Sequence, residues 1–156
     1  MKELIALIEQ NEPFASLPPG VHGKEHARRV LDFALKLSAL FQDIDKKVIV
    51  ISALLHDTGR VNDWDDPKHG ERSAVLAKEF ILKHKIDVDA SLVAKCIIGH
   101  VLDVSGKEIE CKIIADADKL DRLRFRYGPD RLREELLELP ESFSVLPYAK
   151  KIHGDT

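Results

Sequence analysis

The stretch Val48-Ile-Val-Ile-Ser-Ala-Leu-Leu-His-Asp57 decides the fold. Its first eight residues contain only one polar side chain, a hydroxyl, which is typical of a helix that is buried on every side. The doublet His56-Asp57 then places an imidazole and a carboxylate at the end of this helix, where burial is costly unless something compensates it. The helix itself gives no help, because its C-terminal dipole repels the carboxylate. Since His and Asp are both ligands of divalent metals, we predict a metal site here.

The rest of the chain is predicted to be helical around this segment. Apolar residues recur at i, i+3 and i+4 spacing from Ala27 to Phe41, and Asp43 or Asp45 is expected to cap the buried helix. Further helices are predicted at about residues 4–8, 69–85, 89–101, 107–124 and 129–140, followed by a partly helical tail. Strand-like alternation is nearly absent. The prediction is therefore an all-α fold, a single-domain bundle of about six to eight helices over residues 1–156.

Composition is that of an ordinary soluble protein of 156 residues with a formal net charge of −3. This charge gives no reason to expect a nucleic-acid partner or an anionic membrane. No stretch approaches the roughly 20 apolar residues of a membrane span, and the N-terminus does not have the pattern of a signal peptide. Cys96 and Cys111 both stand in apolar helical patterns, which favours free thiols in a reducing cytoplasm.

The oligomeric state is expected to be a monomer or a homodimer. Apolar residues of the tail, between Phe143 and Tyr148, are available to pack on a neighbouring molecule. We expect them to cover the protein's own core instead, because large apolar side chains are most often buried within their own chain.

Several further polar residues stand at or beside inward-facing helical positions. The histidines of this kind are His26, His69 and His100. A late helix carries three carboxylates within an apolar pattern, at Asp116, Asp118 and Asp121. Periodicity alone does not choose between Asp116 and Asp118, which flank the same apolar stripe.

Taken in order, these residues resemble the HD superfamily of metal-dependent phosphohydrolases. The matching residues are His26, His56-Asp57, His69, His100 and Asp118, within a motif-bearing part of about residues 22–125 that a helical extension follows over 129–156. The short segments around these residues also fit the family pattern: His22-Gly-Lys-Glu-His26, Leu54-Leu-His-Asp57 and Ala117-Asp-Lys-Leu-Asp121. The resemblance implies an all-α bundle and favours Asp118 over Asp116. Arg122 departs from the family, where a small residue is common, and this difference affects the substrate pocket rather than the metal.

The resemblance implies a ligand set of His26, His56, Asp57 and Asp118 for one ion. His69 and His100 are expected to complete a second metal position, to bind phosphate or to donate protons. Such imidazole-rich ligation favours Mn, Fe, Co, Ni or Zn over Mg or Ca. One or two divalent ions are therefore expected.

The implied activity is hydrolysis of a phosphate ester, in a nucleotide or a related small metabolite, through a metal-activated water. Asp57 would orient the water, and His69 is the candidate general acid if only one ion binds. Arg60 and Lys119 are candidates to bind the phosphate. The competing interpretations are that Arg60 pairs with Asp57 or Asp63, and that Lys119 is exposed.

Two other classes of function remain open at this point. Some superfamily members with four His and two Asp resemble di-iron oxygenases, and this chain has that residue count. The other possibility is a non-catalytic module in which the metal staples the bundle or senses a ligand.

The remaining polar and aromatic residues receive simpler interpretations. Trp64 is expected to be a cavity wall or a packed loop anchor, and His22 to form a hydrogen bond near the site without being a ligand. His84 and His153 are expected to be solvated. The basic run from Arg122 to Arg133 is interpreted as a solvated face that Glu134, Glu135 and Glu138 neutralise.

Overall fold

The computed structural model describes residues 1–102 and 104–154. Within them the chain forms seven α-helices and no β-strand: α1 (Lys2–Glu9), α2 (Lys24–Ser38), α3 (Lys46–Leu55), α4 (His69–Lys83), α5 (Ala90–Gly99), α6 (Ile109–Leu120) and α7 (Ser142–Ile152). The all-α prediction is confirmed. The predicted domain also includes Asp103, Asp155 and Thr156, which lie outside the described residues. No helix in the described ranges combines the length and the apolar character that crossing a bilayer requires.

Helix α3 is the centre of the bundle. Its N-cap is Asp45, whose carboxylate accepts hydrogen bonds from the backbone N–H groups of Lys47 and Val48 at 3.1 and 3.3 Å. Every residue from Val48 through Leu55 is fully buried. Helices α1, α2, α4, α5 and α6 all pack against α3. The prediction of a helix buried on every side is therefore confirmed, and the doublet at its end lies in the protein interior.

Two predicted helices differ from the structure. The helix expected over 107–124 is α6, which ends at Leu120 and continues only as a 3₁₀ turn over Asp121–Arg124. The prediction of a helix over 129–140 was wrong, because the only helical element in that range is the 3₁₀ turn Glu134–Leu136. The carboxylate of Asp116 accepts hydrogen bonds from the backbone N–H groups of Glu138 and Leu139 at 2.9 Å each. A distant side chain, rather than helical hydrogen bonds, therefore fixes this segment.

The tail folds back as α7, in part as expected. Val145 and Leu146 are buried and belong to the main core. Tyr148 packs against the same core and donates a hydrogen bond to Asp32 of α2 at 2.6 Å. Phe143 is 48% exposed and does not take part. The tail thus covers the protein's own core through three of the four large apolar residues between Phe143 and Tyr148.

Gly59 fixes the loop that leaves the doublet against α4. Its N–H donates to the Ser73 hydroxyl at 2.8 Å, and its carbonyl accepts from Arg72 Nε at 2.8 Å. A Cβ at this position would lie only 2.5 Å from the backbone nitrogen of Ser73. The close approach therefore requires glycine. It sets the position of the doublet relative to α4, whose first residue is His69.

Replacing Gly59 by Ala is expected to lower the free energy of unfolding by about 1–3 kcal/mol, because the added methyl group forces the loop away from α4. Urea denaturation followed by circular dichroism measures this change. Val75→Ala is the control, since Val75 lies on the exposed side of α4 and should change stability by less than about 0.5 kcal/mol. Equal stability of Gly59→Ala and the wild type would contradict the described packing.

Candidate metal centre

Five helices bring four histidines and two aspartates to one place inside the bundle. His26 lies on α2 and Asp118 on α6, the doublet follows α3, His69 begins α4, and His100 directly follows α5. The side chain of Asp118 is 18% exposed, whereas the other five side chains are buried. All six residues predicted as ligands from the sequence are therefore assembled in the structure.

The first ligand group contains His26, His56, Asp57 and Asp118. The Nε2 atom of His26 lies 3.2 Å from Asp57 Oδ2 and 3.1 Å from Asp118 Oδ1. The Nε2 atom of His56 lies 3.2 Å and 3.4 Å from the same two oxygens. All four donor atoms lie within 4.8 Å of one another, as the ligands of one ion do.

The second ligand group contains Asp57, His69 and His100. The Nε2 atoms of His69 and His100 lie 3.2 and 3.4 Å from Asp57 Oδ1, and 3.0 Å from each other. The two oxygens of Asp57 thus face different ligand groups. Each oxygen would therefore be available to hold an ion with its own group of histidines.

Hydrogen bonds on the far side of the rings fix their orientation. His56, His69 and His100 each place Nδ1 at the backbone carbonyl three residues earlier, 2.7 Å away for His56 and 2.6 Å for His69. A carbonyl can only accept, so Nδ1 carries the proton in each ring. In the neutral ring the Nε2 lone pair consequently points toward Asp57, as it must in a metal ligand.

The donor atoms fit a cation better than they fit one another. In their neutral forms, His69 and His100 would direct two lone pairs at each other across 3.0 Å. Oδ2 of Asp57 is buried beside the Nε2 atoms of His26 and His56, and while these rings are neutral no residue in the described ranges donates a hydrogen bond to it. Buried polar atoms without partners are costly, and a cation bound between these atoms removes that cost. Four imidazoles and two carboxylates suit a divalent transition metal.

Without a metal, protons stabilise this cluster. Burial alone would lower the pKa of His26, but the carboxylates of Asp118, Asp121 and Asp57 raise it to about 9. Burial opposes the charge on His56 in the same way, and Asp57 and Asp118 nevertheless raise its pKa to about 10. Burial would raise the pKa values of Asp57 and Asp118, yet the imidazoles hold both well below the usual range. A bound metal must therefore displace protons.

Asp121 is a part of the centre that the sequence interpretation missed. It is fully buried, and its Oδ2 lies 2.6 Å from Nδ1 of His26. Arg29 donates to its Oδ1 at 2.8 Å, His153 Nε2 lies 2.8 Å from the same oxygen, and Arg124 Nη1 lies 3.3 Å from Oδ2. The expectation that His153 is solvated was wrong. The sequence did offer one signal for this role, because Asp121 lies three residues after Asp118 in the segment Ala117–Asp121 that resembles the family.

Asp116 has a different task from Asp118, as the family resemblance suggested. Besides its two backbone hydrogen bonds, its carboxylate accepts one from the Ser142 hydroxyl at 2.6 Å. It therefore faces the C-terminal segment and not the ligand groups. Its burial raises its pKa, although these hydrogen bonds oppose the shift.

Arg60 and Lys119 are placed differently from each other. Arg60 Nε donates to Asp57 Oδ1 at 3.1 Å, which is the pairing considered from the sequence. The ammonium of Lys119 is buried and donates to the carbonyl of Leu136 at 2.8 Å, with a carboxylate oxygen of Glu138 3.5 Å away. The side chain of Arg60 thus contacts the ligand groups directly, whereas the ammonium of Lys119 is hydrogen-bonded to the neighbouring backbone at Leu136.

The other histidines lie outside the ligand groups. His22 Nδ1 lies 3.1 Å from Asp63 Oδ1, and burial lowers the pKa of His22 to about 4. As expected, it forms a hydrogen bond near the site. His84 is half-buried, with its ring centroid 4.5 Å from that of Phe80, so the expectation of a solvated side chain was wrong.

A cavity of about 310 Å³, here called the main cavity, opens over the second ligand group. His69, His100 and Asp118 line it together with Arg60 and Trp64. Trp64 is 66% exposed, so it is a wall of this cavity and not a packed loop anchor. The volume suits a small molecule.

The basic run beyond α6 is not neutralised as expected. Of its arginines, Arg133 pairs with Glu135 at 3.2 Å. Arg124 is bound to Asp121, and the side chain of Arg122 has no hydrogen bond or ion pair with any described residue. Glu138 instead lies beside Lys119.

Comparison with known proteins gives one family and one curated relative. A family model described as HD domain matches residues 23–123. A segment of 67 residues is 37% identical to the bifunctional uridylyltransferase/uridylyl-removing enzyme of Methylococcus capsulatus. This match covers 42% of the chain but only 7% of that protein, so the chain corresponds to a small part of this relative. No solved structure matches the chain significantly.

Metal affinity is expected to rise with pH. Below about pH 9, His26 and His56 are protonated in the metal-free protein, and each proton displaced makes the affinity increase about tenfold per pH unit. Titration calorimetry with Mn²⁺ between pH 6 and 8, in two buffers of different ionisation enthalpy, measures the number of protons released. An affinity that is independent of pH would show that the described protonation is incorrect.

Asp121→Asn is expected to weaken metal binding by about 10–100-fold, because it disturbs the hydrogen bond that orients His26. Asp116→Asn is the matched control on the same chain segment, since Asp116 faces the C-terminal segment and should alter stability but not metal affinity. Both affinities are measured by competition with a chelating dye, after circular dichroism has shown that each variant is folded. Equal affinities in the two variants would contradict the positioning role of Asp121.

Proposed function

The chain belongs to the HD domain family, and on this basis we propose that it is a metal-dependent phosphohydrolase that cleaves a phosphate ester of a nucleotide or a related small metabolite. The observation that carries this proposal is the position of Asp57, whose two oxygens face two separate ligand groups. Pairs of ions that share a carboxylate are well suited to hydrolysis of phosphate esters.

In the proposal, His26, His56, Asp57 and Asp118 hold one divalent ion, and Asp57, His69 and His100 hold a second. When bound, such ions activate a water molecule and neutralise negative charge on phosphoryl oxygens. Their chemical class is Mn, Fe, Co, Ni or Zn, because imidazoles predominate among the ligands.

The protein's own residues bind and orient the phosphate. Arg60 is held to Asp57 through Nε, so its guanidinium lies beside the ligand groups and lines the main cavity. Its remaining N–H groups are suited to a phosphoryl oxygen. If only the first ion is bound, His69 at the cavity wall is free to protonate the leaving oxygen. Lys119 also lines the main cavity and stays a candidate to bind the phosphate, although its ammonium donates one hydrogen bond to the carbonyl of Leu136.

The proposed partner is a small-molecule phosphate, and the proposed location is the cytoplasm. The volume of the main cavity suits a small molecule, and the net charge of −3 does not favour nucleic acid. Cys96 and Cys111 are both buried, with their sulfur atoms 3.2 Å apart, and the proposed location keeps them as thiols. The relative from Methylococcus capsulatus is a uridylyl-removing enzyme by name, so uridylyl compounds belong in the first substrate screen.

The same carboxylate between two ligand groups also supports a second candidate, a di-iron oxygenase. Four imidazoles and two carboxylates are an acceptable ligand set for two irons. Iron content and O₂ consumption distinguish this candidate from the hydrolase.

Elemental analysis of protein purified without a chelator or a metal-affinity tag is expected to find up to two transition-metal ions per chain. His69→Ala and His100→Ala should retain one ion, because each removes a ligand of the second group only. His56→Ala should lose metal and phosphate release together, because it removes a buried ligand of the first group. Phosphate release is measured with a panel of nucleotide esters.

His84→Ala is the control for these variants, since His84 lies outside both ligand groups and should leave metal content and activity unchanged. Phosphate release by metal-free His56→Ala protein would contradict the proposed function. Two irons per chain with O₂ consumption and no phosphate release would favour the oxygenase. Folded protein that contains no metal and does not bind added Mn²⁺ would exclude both enzymes.

A further inference from the structure

The two cysteines of the chain face each other between α5 and α6. Cys96 lies in α5 and Cys111 in the first turn of α6, and both are fully buried. Their sulfur atoms are 3.2 Å apart, and the thiol of Cys96 donates to the sulfur of Cys111. Since the sulfurs of a disulfide are about 2.0–2.1 Å apart, each sulfur has to move by only about half an ångström to form one.

The packing of the two helices does not by itself require sulfur at both positions. A buried thiol fills space as a small apolar side chain does, and its reactivity is what sets it apart from such a side chain. The sequence contains only two cysteines, yet the fold brings both of them to the same contact. This pairing points to a reaction between them.

The surroundings of the pair make Cys111 the more reactive of the two thiols. The hydrogen bond from Cys96 lowers the pKa of Cys111, although burial opposes this shift, and the same hydrogen bond raises the pKa of Cys96. One oxygen of Glu108 lies 3.9 Å from the sulfur of Cys111, but the other is paired with the ammonium of Lys95 at 3.1 Å. This ion pair reduces the repulsion between the carboxylate and a thiolate at Cys111, and the thiolate is the form that attacks an oxidant.

An irregular segment separates Cys111 from the solvent. Cys111 is fully buried, but it contributes to the wall of a cavity of about 320 Å³ that Gly106 also lines. A Cβ on Gly106 would lie 3.6 Å from the sulfur of Cys111, so glycine leaves the sulfur without a side-chain cover at this point. Residues 105–107 are not helical, and segments of this kind open locally at a low cost in free energy. Such an opening admits a molecule as small as hydrogen peroxide.

We propose that Cys96 and Cys111 are a redox modification site, at which a peroxide converts the two thiols reversibly into a disulfide. Cys96 lies four residues before His100 and Cys111 seven residues before Asp118. The disulfide therefore ties together the two helices that position these proposed ligands. Oxidation stabilises the folded chain, because a cross-link that closes a loop of about 16 residues lowers the entropy of the unfolded state. The disulfide requires neither a bound metal nor a substrate.

The reaction consumes one hydrogen peroxide and releases two molecules of water. The thiolate of Cys111 attacks one peroxide oxygen, the O–O bond breaks, and the departing hydroxide takes a proton and leaves as water. The sulfur of Cys96 then attacks the sulfur of the resulting sulfenic acid, and the second hydroxide leaves with the proton of Cys96. The two thiols together lose two electrons, which reduce the peroxide. A dithiol reductant reverses the reaction by thiol–disulfide exchange.

The test treats the reduced full-length protein, as purified, with a small excess of hydrogen peroxide. The protein is then unfolded and alkylated, and mass spectrometry counts the cysteines that have stayed reduced. Both thiols are expected to be lost together, with a decrease in mass of two hydrogen atoms, and dithiothreitol should restore them. Peptide mapping should find Cys96 joined to Cys111. Diamide, which oxidises thiols without the help of a metal, should give the same product.

Thermal denaturation of the oxidised and the reduced wild type measures the effect of the bond. The midpoint should rise by about 5–10 °C on oxidation, the size expected for a loop of about 16 residues in a domain of this length. Cys96→Ala is the control, since its single thiol has no partner and oxidation should not raise its midpoint. The two forms of the wild type have the same sequence, so their comparison does not depend on the folding of this variant.

Two thiols that stay reduced, at a peroxide concentration that oxidises them in the unfolded chain, would overturn the proposal. An oxygen added to a single cysteine, or a disulfide between two molecules in place of the internal one, would overturn it as well. An internal disulfide that leaves the denaturation midpoint unchanged would contradict the stabilising role of the bond. None of these results bears on metal content or on phosphate release, which test the proposed function separately.

Discussion

The carboxylate of Asp57 is buried at the end of a helix without a polar face, and four imidazoles surround it. A charge in this position is stable only if cations or charged partners compensate it from every side. Each of α2, α4 and α5 therefore contributes one histidine, and a hydrogen bond at Nδ1 fixes each ring. Even the backbone of Gly59 serves this arrangement, since it holds the loop after the doublet against α4. The packing of the bundle and the geometry of the centre follow from the same buried group.

Helix α3 could be predicted because its signal, a continuous apolar run, is local. The six clustered residues stand at or beside inward positions, but the resemblance to the HD superfamily was needed to choose Asp118 over Asp116 and to group them as one set. The segment before α7 could not be predicted, since it is held by the side chain of Asp116, more than 20 residues away. The contact between Asp121 and His153 has the same character. Periodicity does not report contacts of this range, and the resemblance to the HD superfamily did not include them either.

The three carboxylates in and directly after α6 have three different roles. Asp116 fixes the C-terminal segment, Asp118 belongs to the ligand groups, and Asp121 orients His26. They differ by only a few residues in sequence, yet the helical rotation between them directs each side chain to a different neighbour. A substitution in this short stretch therefore affects stability, metal binding or ring orientation, depending on the position that it changes.

The contact of His153 with Asp121 has a consequence for where this domain ends. The part recognised by similarity stops at residue 123, but α7 reaches back to the residue that orients a proposed ligand. Cutting the chain at that boundary would remove His153 from Asp121, together with the three groups of Glu138, Leu139 and Ser142 that donate hydrogen bonds to Asp116. The segment that the family model matches is thus shorter than the set of residues that these contacts hold together. In this protein, the residues that carry the family motif are therefore fewer than the residues that hold the motif in place.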